Sequence, residues 1–254
     1  MKLSVILITK NESHNIRDCL DSVRFASEWI VVDSGSTDNT VELAREFGAT
    51  VIQTKDWPGF GIQKNRALSA TTGDWILSID ADERITPELG EEIMRVISQP
   101  EACDAYEIHR QSWYCGKFIR YGDWSNDYVL RLFKRNHAHF TNDLVHERLV
   151  AEGKIGRLKA CMKHYSYLSF SQVLQKIDSY TEYSAIQKHR QGKKAGVGTA
   201  VLHGLWAFIR CYFLRLGFLD GGHGLALAIS NAENSYYRYL KIWLLEQNKT
   251  PEKH

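Results

Sequence analysis

The segment that decides the fold spans residues 75–83 and reads WILSIDADE. Its first five residues, up to Ile79, suit a strand that is buried on both faces, because such strands form nearly continuous apolar runs. Asp80 and Asp82 follow where this strand ends, with the small Ala81 between them. Residues i and i+2 of an extended chain point to the same side, so the two carboxylates are expected to face one site.

Short apolar strands alternate with helical patterns over the N-terminal part of the chain. The strands are predicted at residues 3–9, 30–32, 50–53 and 75–79, and the segments between them carry apolar residues at helical spacing. This alternation is typical of an α/β fold, in which helices cover both faces of a mostly parallel, Rossmann-like sheet. From Ser171 onward, long helical patterns predict a helical C-terminal region.

Three polar clusters follow predicted strands: TKNE at residues 9–12, DSGSTD at 33–38 and DADE at 80–83. Ligands of parallel sheets bind beyond the carboxyl ends of the strands, so the clusters are expected to form one site. A Gly/Ser turn before a helix offers backbone N–H groups to an anion. Paired carboxylates suit Mg²⁺ or Mn²⁺, which would neutralise a diphosphate leaving group. An ordinary capped turn and a solvated acidic loop are the alternatives for the second and third clusters.

Composition and missing motifs exclude several classes of protein. The 254 residues carry a net charge of +2, with 44% hydrophobic and 24% charged residues, which excludes a disordered chain and gives no argument for nucleic-acid binding. The sequence contains no GxGxxG, Walker A or HExxH motif, which argues against dinucleotide redox chemistry, P-loop hydrolysis and a zincin. Five scattered cysteines, and an apolar run at residues 3–8 that is too short for a signal sequence, predict a cytosolic location.

In order and spacing, the three clusters together resemble the inverting family 2 glycosyltransferases, which have the GT-A fold. The resemblance implies that the first two clusters bind the uridine of a UDP-sugar. It implies Asp82 as the metal ligand, with Asp80 beside it, and Mg²⁺ or Mn²⁺ as the cofactor. The donor-binding residues that it implies are Thr9, Asn11, Glu12, Asp33, Ser34, Gly35, Lys64, Asp80 and Ala81.

Five further segments resemble the lipopolysaccharide inner-core glucosyltransferases of Gram-negative bacteria. They are WPGFG at residues 57–61, QKN at 63–65, RLF at 131–133, VHE at 145–147 and GFLDG at 217–221. This resemblance implies transfer of glucose from UDP-glucose to an inner-core heptose on a lipid-linked acceptor. It divides the chain into a GT-A catalytic domain at residues 1–165, with a nucleotide-sugar half at 1–100 and an acceptor half at 101–165, and a helical region at 166–254.

Inverting transfer needs one carboxylate that deprotonates the acceptor hydroxyl. Many family 2 enzymes carry a Glu-Asp pair for this role after the Asp-x-Asp motif, and this sequence lacks that pair there. The candidate bases are Asp123, Asp127, Asp143 and Glu147. We favour Glu147, with Asp127 second. The predicted acceptor-binding residues are His146, Arg131 and Trp124, for which a surface position or a core role is the alternative.

The C-terminal region contains a basic stretch at residues 187–194, followed by an apolar and aromatic stretch at 200–219. Arg210 and Arg215 interrupt the apolar stretch, which argues against a membrane-spanning helix. A helix that lies in the membrane interface, with snorkelling arginines and basic residues near anionic lipids, is predicted instead. A helix packed on the catalytic domain, or a dimer interface, is the alternative. The protein is therefore expected at the inner face of the cytoplasmic membrane.

Three other functions compete with this hypothesis. The same transferase chemistry on a different glycolipid or on a polypeptide fits the sequence equally well. A phosphatase with Asp80 as nucleophile is disfavoured, because the threonine expected two residues after Asp82 is missing. A membrane adaptor that binds a nucleotide without turnover is the non-enzymatic alternative.

Overall fold

The computed structural model describes residues 1–141 and 148–247. The chain divides into two compact units. Unit 1 comprises residues 1–110 and 127–164, and unit 2 comprises residues 111–126 and 165–254. The segment 111–126 groups with the C-terminal region, and the expected division into functional domains at residue 165 stays a prediction.

Unit 1 opens with the alternation of strands and helices that the sequence predicts. The elements are β1 (Leu3–Thr9), α1 (Ile16–Asp21), β2 (Glu28–Asp33), α2 (Thr40–Phe47), β3 (Thr50–Gln53), α3 (Phe60–Ser69) and β4 (Trp75–Ser78). The strands lie in the order β3-β2-β1-β4, and each neighbouring pair is parallel. The predicted α/β fold class is thereby confirmed.

The rest of the sheet is antiparallel where its pairing is described. It is built from β5 (Glu83–Ile85), α4 (Pro87–Ile97), β6 (Ala105–Tyr114), β7 (Lys117–Phe118), β8 (Tyr128–Lys134) and β11 (Ile155–Tyr167). Within the described residues, nine strands form one sheet in the order β3-β2-β1-β4-β8-β6-β11-β5, with β7 added to β6. A separate pair consists of β9 (Ala138–Phe140) and β10 (Leu149–Ala151). The sheet therefore joins a parallel half to an antiparallel half at β4 and β8.

Alternating residues of β1 explain why this strand is apolar throughout. Leu3, Val5 and Leu7 pack into a core with α1 and α4, whereas Ile6 belongs to a second core that includes Ala67 of α3. Because successive side chains of a strand point to opposite faces, both faces of the parallel half are covered. This is the arrangement expected for a central strand of an α/β sheet.

The ends of two helices show which local signals the sequence carried. Helix α2 ends at Gly48 with a φ of 101°, as its sequence predicts. Asn39 holds the N-cap position of α2, but its side chain makes no cap hydrogen bond. The preceding Asp38 makes a bond there instead, since its Oδ1 accepts the N–H of Thr40 at 3.1 Å. Helix α4 starts as predicted after Thr86, whose hydroxyl accepts the N–H of Leu89.

Unit 2 is mainly helical, as predicted for the C-terminal region. It contains α5 (Phe170–Arg190), α6 (Val197–Ile209) and α7 (Gly222–Gln247), with a π-helical turn at Arg210–Leu214 and 3₁₀ turns at Gly122–Trp124 and Gly217–Asp220. Helix α7 packs against both α5 and α6. A capping box of Ser169 and Gln172 fixes the start of α5.

Candidate functional site

The three polar clusters meet at one edge of the sheet. β1 and β2 are parallel and place Thr9 beside Asp33, and Thr9 Oγ1 donates to Asp33 Oδ2 at 3.3 Å. β4 runs parallel to β1 on its other side, and the N–H of Ile79 donates to the carbonyl of Ile6 at 3.1 Å. Asp80 therefore follows at the same edge, where parallel sheets bind their ligands.

Asp33 shapes the turn after β2. Its carboxylate is fully buried and accepts the N–H groups of Gly35 at 3.1 Å and Ser36 at 3.0 Å, together with the Ser36 hydroxyl. Gly35 has a φ of 81°, a conformation that glycine adopts without strain. The neighbouring Ser34 accepts a hydrogen bond of 2.9 Å from Gln63 Nε2. A direct contact of Asp33 with a nucleotide stays a prediction.

The TKNE cluster braces this turn from β1. Asn11 has a φ of 56°, and its Oδ1 accepts the N–H of Thr37 at 2.8 Å. The N–H of Asn11 in turn donates to the Ser36 hydroxyl at 2.8 Å. Glu12 Oε2 accepts Asn15 Nδ2 at 2.9 Å. These bonds hold the two clusters in one fixed arrangement, and the predicted contacts of the TKNE cluster with a donor stay predictions.

Asp80 lies between two cationic side chains. Lys64 Nζ is 3.2 Å from Asp80 Oδ1, and Arg131 Nη2 donates to Oδ2. Burial by itself raises the pKa of Asp80, but Arg131 and Lys64 outweigh it and hold the pKa well below the usual range of aspartate. Asp80 is therefore ionised at neutral pH. Both carboxylate oxygens of Asp80 contact cations. Asp82 is therefore more available than Asp80 as a ligand for a metal ion.

Glu83 is a buried acid of the DADE cluster for which the sequence alone indicates no separate role. It is fully buried; its Oε2 accepts the N–H of Asp80 at 2.9 Å, and its Oε1 is 2.7 Å from Arg131 Nη2. Arg110 continues the series, with Nη1 3.5 Å from Glu83 Oε1 and Nε donating to Asp127 Oδ2 at 2.8 Å. We call this series from Asp80 to Asp127 the ion chain. Arg110 and Arg131 lie far from Asp80 and Glu83 in sequence, so no motif could have revealed their pairing.

His164 lies next to Asp82 because β11 pairs with β5. The antiparallel register sets His164 opposite Glu83, and His164 Nε2 is 3.2 Å from Asp82 Oδ2. A carboxylate and an imidazole together suit a cation such as Mn²⁺. Residues 1–141 and 148–247 hold no group of three or more His, Cys, Asp or Glu side chains that could bind a metal. The residues present therefore fit a cation that also takes oxygen ligands from a bound diphosphate.

The predicted acceptor-side residues fall in different places. In unit 1, Asp127 ends the ion chain, whereas Arg131 is buried and directed at Asp80 and Glu83. In unit 2, Trp124 stacks on Tyr167 with ring centroids 5.8 Å apart and planes at 15°. The predicted roles of these side chains stay predictions. Two further residues, His146 and Glu147, lie outside the described residues.

Asp123, another candidate base, belongs to an ion cluster inside unit 2. Arg210 Nη2 is 2.7 Å from Asp123 Oδ2, and Arg215 Nη1 is 3.0 Å from Oδ1. Both carboxylate oxygens of Asp123 are therefore held by guanidinium groups of the same unit. The geometry favours a structural role for Asp123. Asp143 lies outside the described residues.

Comparison with known proteins identifies the family. The model of Glycosyl transferase family 2 matches residues 4–149. The uncharacterized glycosyltransferase RP128 of Rickettsia prowazekii (strain Madrid E) is 33% identical, over 95% of this chain and 86% of its own length. The lipopolysaccharide core biosynthesis glycosyltransferase LpsC of Rhizobium meliloti (strain 1021) is 26% identical, over 94% of this chain and 93% of its own length.

A solved structure adds support for the fold. The crystal structure of S. aureus TarS 1–349 superimposes with a TM-score of 0.51 at 15% identity, covering 98% of this chain and 92% of that one. At this identity the similarity shows the GT-A-like fold alone. The family match covers more than half of the chain, and the relatives align along nearly all of it. This chain therefore belongs to glycosyl transferase family 2 and is a glycosyltransferase that resembles enzymes of lipopolysaccharide core biosynthesis.

Proposed function

We propose that this enzyme is an inverting, metal-dependent hexosyltransferase that moves glucose from UDP-glucose to a heptose of the lipopolysaccharide inner core. The three polar clusters support the UDP-sugar donor through their resemblance to family 2 enzymes. The similarity to LpsC supports an acceptor from the lipopolysaccharide core. Transfer to another glycolipid or to a polypeptide is the alternative, since the same donor site would serve it.

One observation carries this proposal: two acidic positions with different surroundings lie side by side beyond β4. Asp80 is neutralised by Lys64 and Arg131, whereas Asp82 faces His164. Asp82 and His164 would hold a divalent cation, which would neutralise the leaving diphosphate. Asp80 would contact the donor as a fixed anion, because its two cationic partners hold its position. Charges fixed in advance stabilise a transition state without the cost of rearrangement.

The acceptor hydroxyl must lose its proton as its oxygen bonds to the anomeric carbon and UDP departs. We propose Glu147 as the base, with Asp127 as second candidate. Asp127 is partly exposed and lies at the end of the ion chain, which supports its candidacy. Replacing the base by its amide, Glu147→Gln or Asp127→Asn, should lower kcat by roughly 10²–10⁴-fold and leave UDP binding unchanged.

We place this reaction at the inner face of the cytoplasmic membrane. A lipid-linked acceptor is confined to that surface, and nucleotide sugars are supplied on its cytosolic side. The enzyme would then be a peripheral membrane protein that reaches its acceptor from the cytosol.

The decisive experiment measures UDP release by the purified full-length chain. The reaction contains UDP-glucose, Mn²⁺ or Mg²⁺ and a purified inner-core acceptor that contains heptose. We expect release that requires both the cation and the acceptor. Release from another UDP-sugar alone would replace the donor, and the absence of acceptor-dependent release with any nucleotide sugar would overturn the proposal in favour of the adaptor.

Two variants at opposite ends of β4 test the role of Asp82. Asp82→Asn should abolish UDP release while the protein stays folded. Asp74→Asn is the matched control, because Asp74 accepts the N–H of Lys2 at 2.8 Å at the far end of the strand. Retained release in Asp82→Asn would contradict the metal role, and lost release in Asp74→Asn would point to a general effect on folding.

A further inference from the structure

Unit 2 exposes an unusual amount of apolar surface in one continuous segment. Between Val197 and Ile229, twelve large apolar side chains are exposed, among them Leu202 at 68% and Trp206 at 53%. The part at Val197–Leu214 is long and apolar enough to cross a membrane, yet only 22% of it is buried within the protein. An apolar surface of this kind marks a contact with a membrane or another protein. We call residues 197–229 the apolar segment.

Helix α6 is apolar on its packed face and on its free face. The packed face consists of Ala200, Gly204, Ala207 and, in the next turn, Cys211, all buried. Gly204 lies so close to α7 that an added Cβ would be 3.1 Å from Tyr236 Cβ. The opposite face carries the exposed side chains, so the helix is not a solvent-facing amphipathic helix.

The few charges of the apolar segment are neutralised within unit 2. Arg210 and Arg215 both pair with Asp123, so they are not the free snorkelling arginines that the sequence suggests. The third charge, Asp220, is buried; it accepts the N–H of Tyr121 at 2.8 Å and lies 3.1 Å from Lys117 Nζ. Arg210 and Arg215 stay partly exposed, at 38% and 48% of their side-chain surface, but their charges are paired, so the exposed surface of the segment is mainly apolar and carries no unpaired charge among these three residues.

The packing of α6 is incompatible with crossing a bilayer. Its partner α7 carries Glu233, Arg238 and Lys241 in its middle, and Lys241 is 2.8 Å from Asp178 of α5. If α6 entered the hydrocarbon core together with α7, these charges would enter the core as well. If α6 entered alone, its packing against α7 would be lost. Both changes are energetically costly. Only the free face can enter lipid, which limits insertion to one leaflet.

The charge pattern around the apolar segment indicates which partner binds it. From Tyr183 to Leu219 the sequence has no Asp or Glu, whereas it has six Lys and Arg. Arg190, Lys193 and Lys194 are exposed just before α6. Basic residues beside an exposed apolar face match an anionic membrane surface, where the apolar side chains enter the interface and the cations meet lipid headgroups.

We propose that the apolar segment is a one-leaflet insertion surface for an anionic lipid bilayer. Asp123 neutralises the two arginines of the segment, which limits the cost of bringing them near lipid, and the basic residues at the end of α5 lie at the headgroups. This proposal deepens the proposed function and rests on it only for the choice of the inner leaflet. The surface itself is defined without reference to any catalytic step.

The test is co-sedimentation of the full-length chain with vesicles. We expect binding to vesicles of phosphatidylethanolamine and phosphatidylglycerol, and weaker binding to vesicles of phosphatidylcholine. The double variant Leu202→Glu/Trp206→Glu should weaken binding about tenfold or more, because two large apolar side chains no longer enter the interface. Lys193→Glu/Lys194→Glu should remove the preference for phosphatidylglycerol.

Ile155→Glu is the matched control, because Ile155 is an exposed apolar residue of unit 1. It should bind vesicles like the unaltered chain, and its loss of binding would contradict the assignment to the apolar segment. Light scattering without lipid tests the rival occupant: a dimer that Leu202→Glu/Trp206→Glu dissociates, with no vesicle binding, would overturn the proposal. UDP release is scored separately, so vesicle binding without turnover would reject the proposed function alone, and turnover without vesicle binding would reject this surface alone.

Discussion

Glu83 lies without exposed surface between the guanidinium groups of Arg131 and Arg110. Its removal would leave Arg131 buried with one anionic partner instead of two. We expect Glu83→Ala to lower the free energy of unfolding by roughly 3–5 kcal/mol, because removing one partner of a buried ion pair leaves the other charge buried and insufficiently compensated. Urea denaturation measures this difference.

Glu91→Ala provides the control for that measurement. Glu91 is exposed on α4, so its replacement should change the free energy of unfolding by no more than about 0.5 kcal/mol. A similar small effect for Glu83→Ala would show that the ion chain contributes little to stability.

Tyr167 predicts a pH dependence of the stability of the protein. Burial raises the pKa of its phenol to about 12, whereas an exposed tyrosine has a pKa of about 10. The stability gained from keeping the phenol neutral is full below about pH 10 and is lost as the pH rises towards 12. Between about pH 10 and pH 12, the free energy of unfolding of Tyr167→Phe should fall less than that of the unaltered protein, when each is compared with its own value at neutral pH. Identical losses for both proteins in denaturant unfolding would refute this assignment.

The sequence indicated residues that follow strands and missed those brought in by pairing. Asp33, Asp80 and Asp82 could be placed at one edge because parallel strands present their carboxyl ends together. His164 could not, because its place beside Asp82 depends on the register between β11 and β5. A long-range antiparallel register leaves no local trace in sequence.

At the scale of elements, the contact of α6 with α7 depends on Gly204. A Cβ there would lie 3.1 Å from Tyr236 Cβ and 3.2 Å from the carbonyl oxygen of Ala232. We expect Gly204→Ala to be less stable than Gly198→Ala by about 1–3 kcal/mol, since alanine gains helix propensity at both positions but forces α6 and α7 apart only at Gly204. Thermal unfolding followed by circular dichroism measures the effect.

Gly198 in the same helix is the matched control. Nothing lies within 4 Å of a Cβ added there, so Gly198→Ala should be neutral or stabilise the protein by up to about 1 kcal/mol through helix propensity. Equal losses for the two alanine variants would exclude close packing as the reason for Gly204.

The sequence predicted the strands of the parallel half of the sheet, but it led to no strand prediction in the antiparallel half. β1 and β4 are buried on both faces and read as apolar runs. β6 mixes buried and half-buried residues, and β11 mixes buried, half-buried and exposed ones, in both cases without strict alternation. A bulge also interrupts the register between β6 and β8. Such strands lack the regular alternation of apolar and polar residues from which strands are predicted. The N-cap position of α2 falls at Asn39, yet the local sequence does not show that the hydrogen bond at this end comes from the neighbouring Asp38.

For the whole molecule, the proposed donor site predicts a linkage between ligand binding and folding. The proposal expects UDP with Mn²⁺ to bind the folded chain and not the unfolded one, so a concentration of a hundred times the Kd should add about 2.7 kcal/mol of stability. The gain should require both components and should disappear in Asp82→Asn. Thermal unfolding with UDP, Mn²⁺ or both measures it, and a full shift with UDP alone would argue against a metal at Asp82.

Cys19 in unit 1 and Cys211 in unit 2 can each report the local unfolding of its own unit. Both side chains have no exposed surface, and burial raises the pKa of each thiol. A thiol in this state resists alkylation until its surroundings open. In a chain whose other three cysteines are serine, the alkylation rate of each residue reports the opening of one unit. Cys19 Sγ lies 3.6 Å from the carbonyl oxygen of Asp80, so UDP with Mn²⁺ should slow the labelling of Cys19 and leave that of Cys211 unchanged, as peptide mass spectrometry would record.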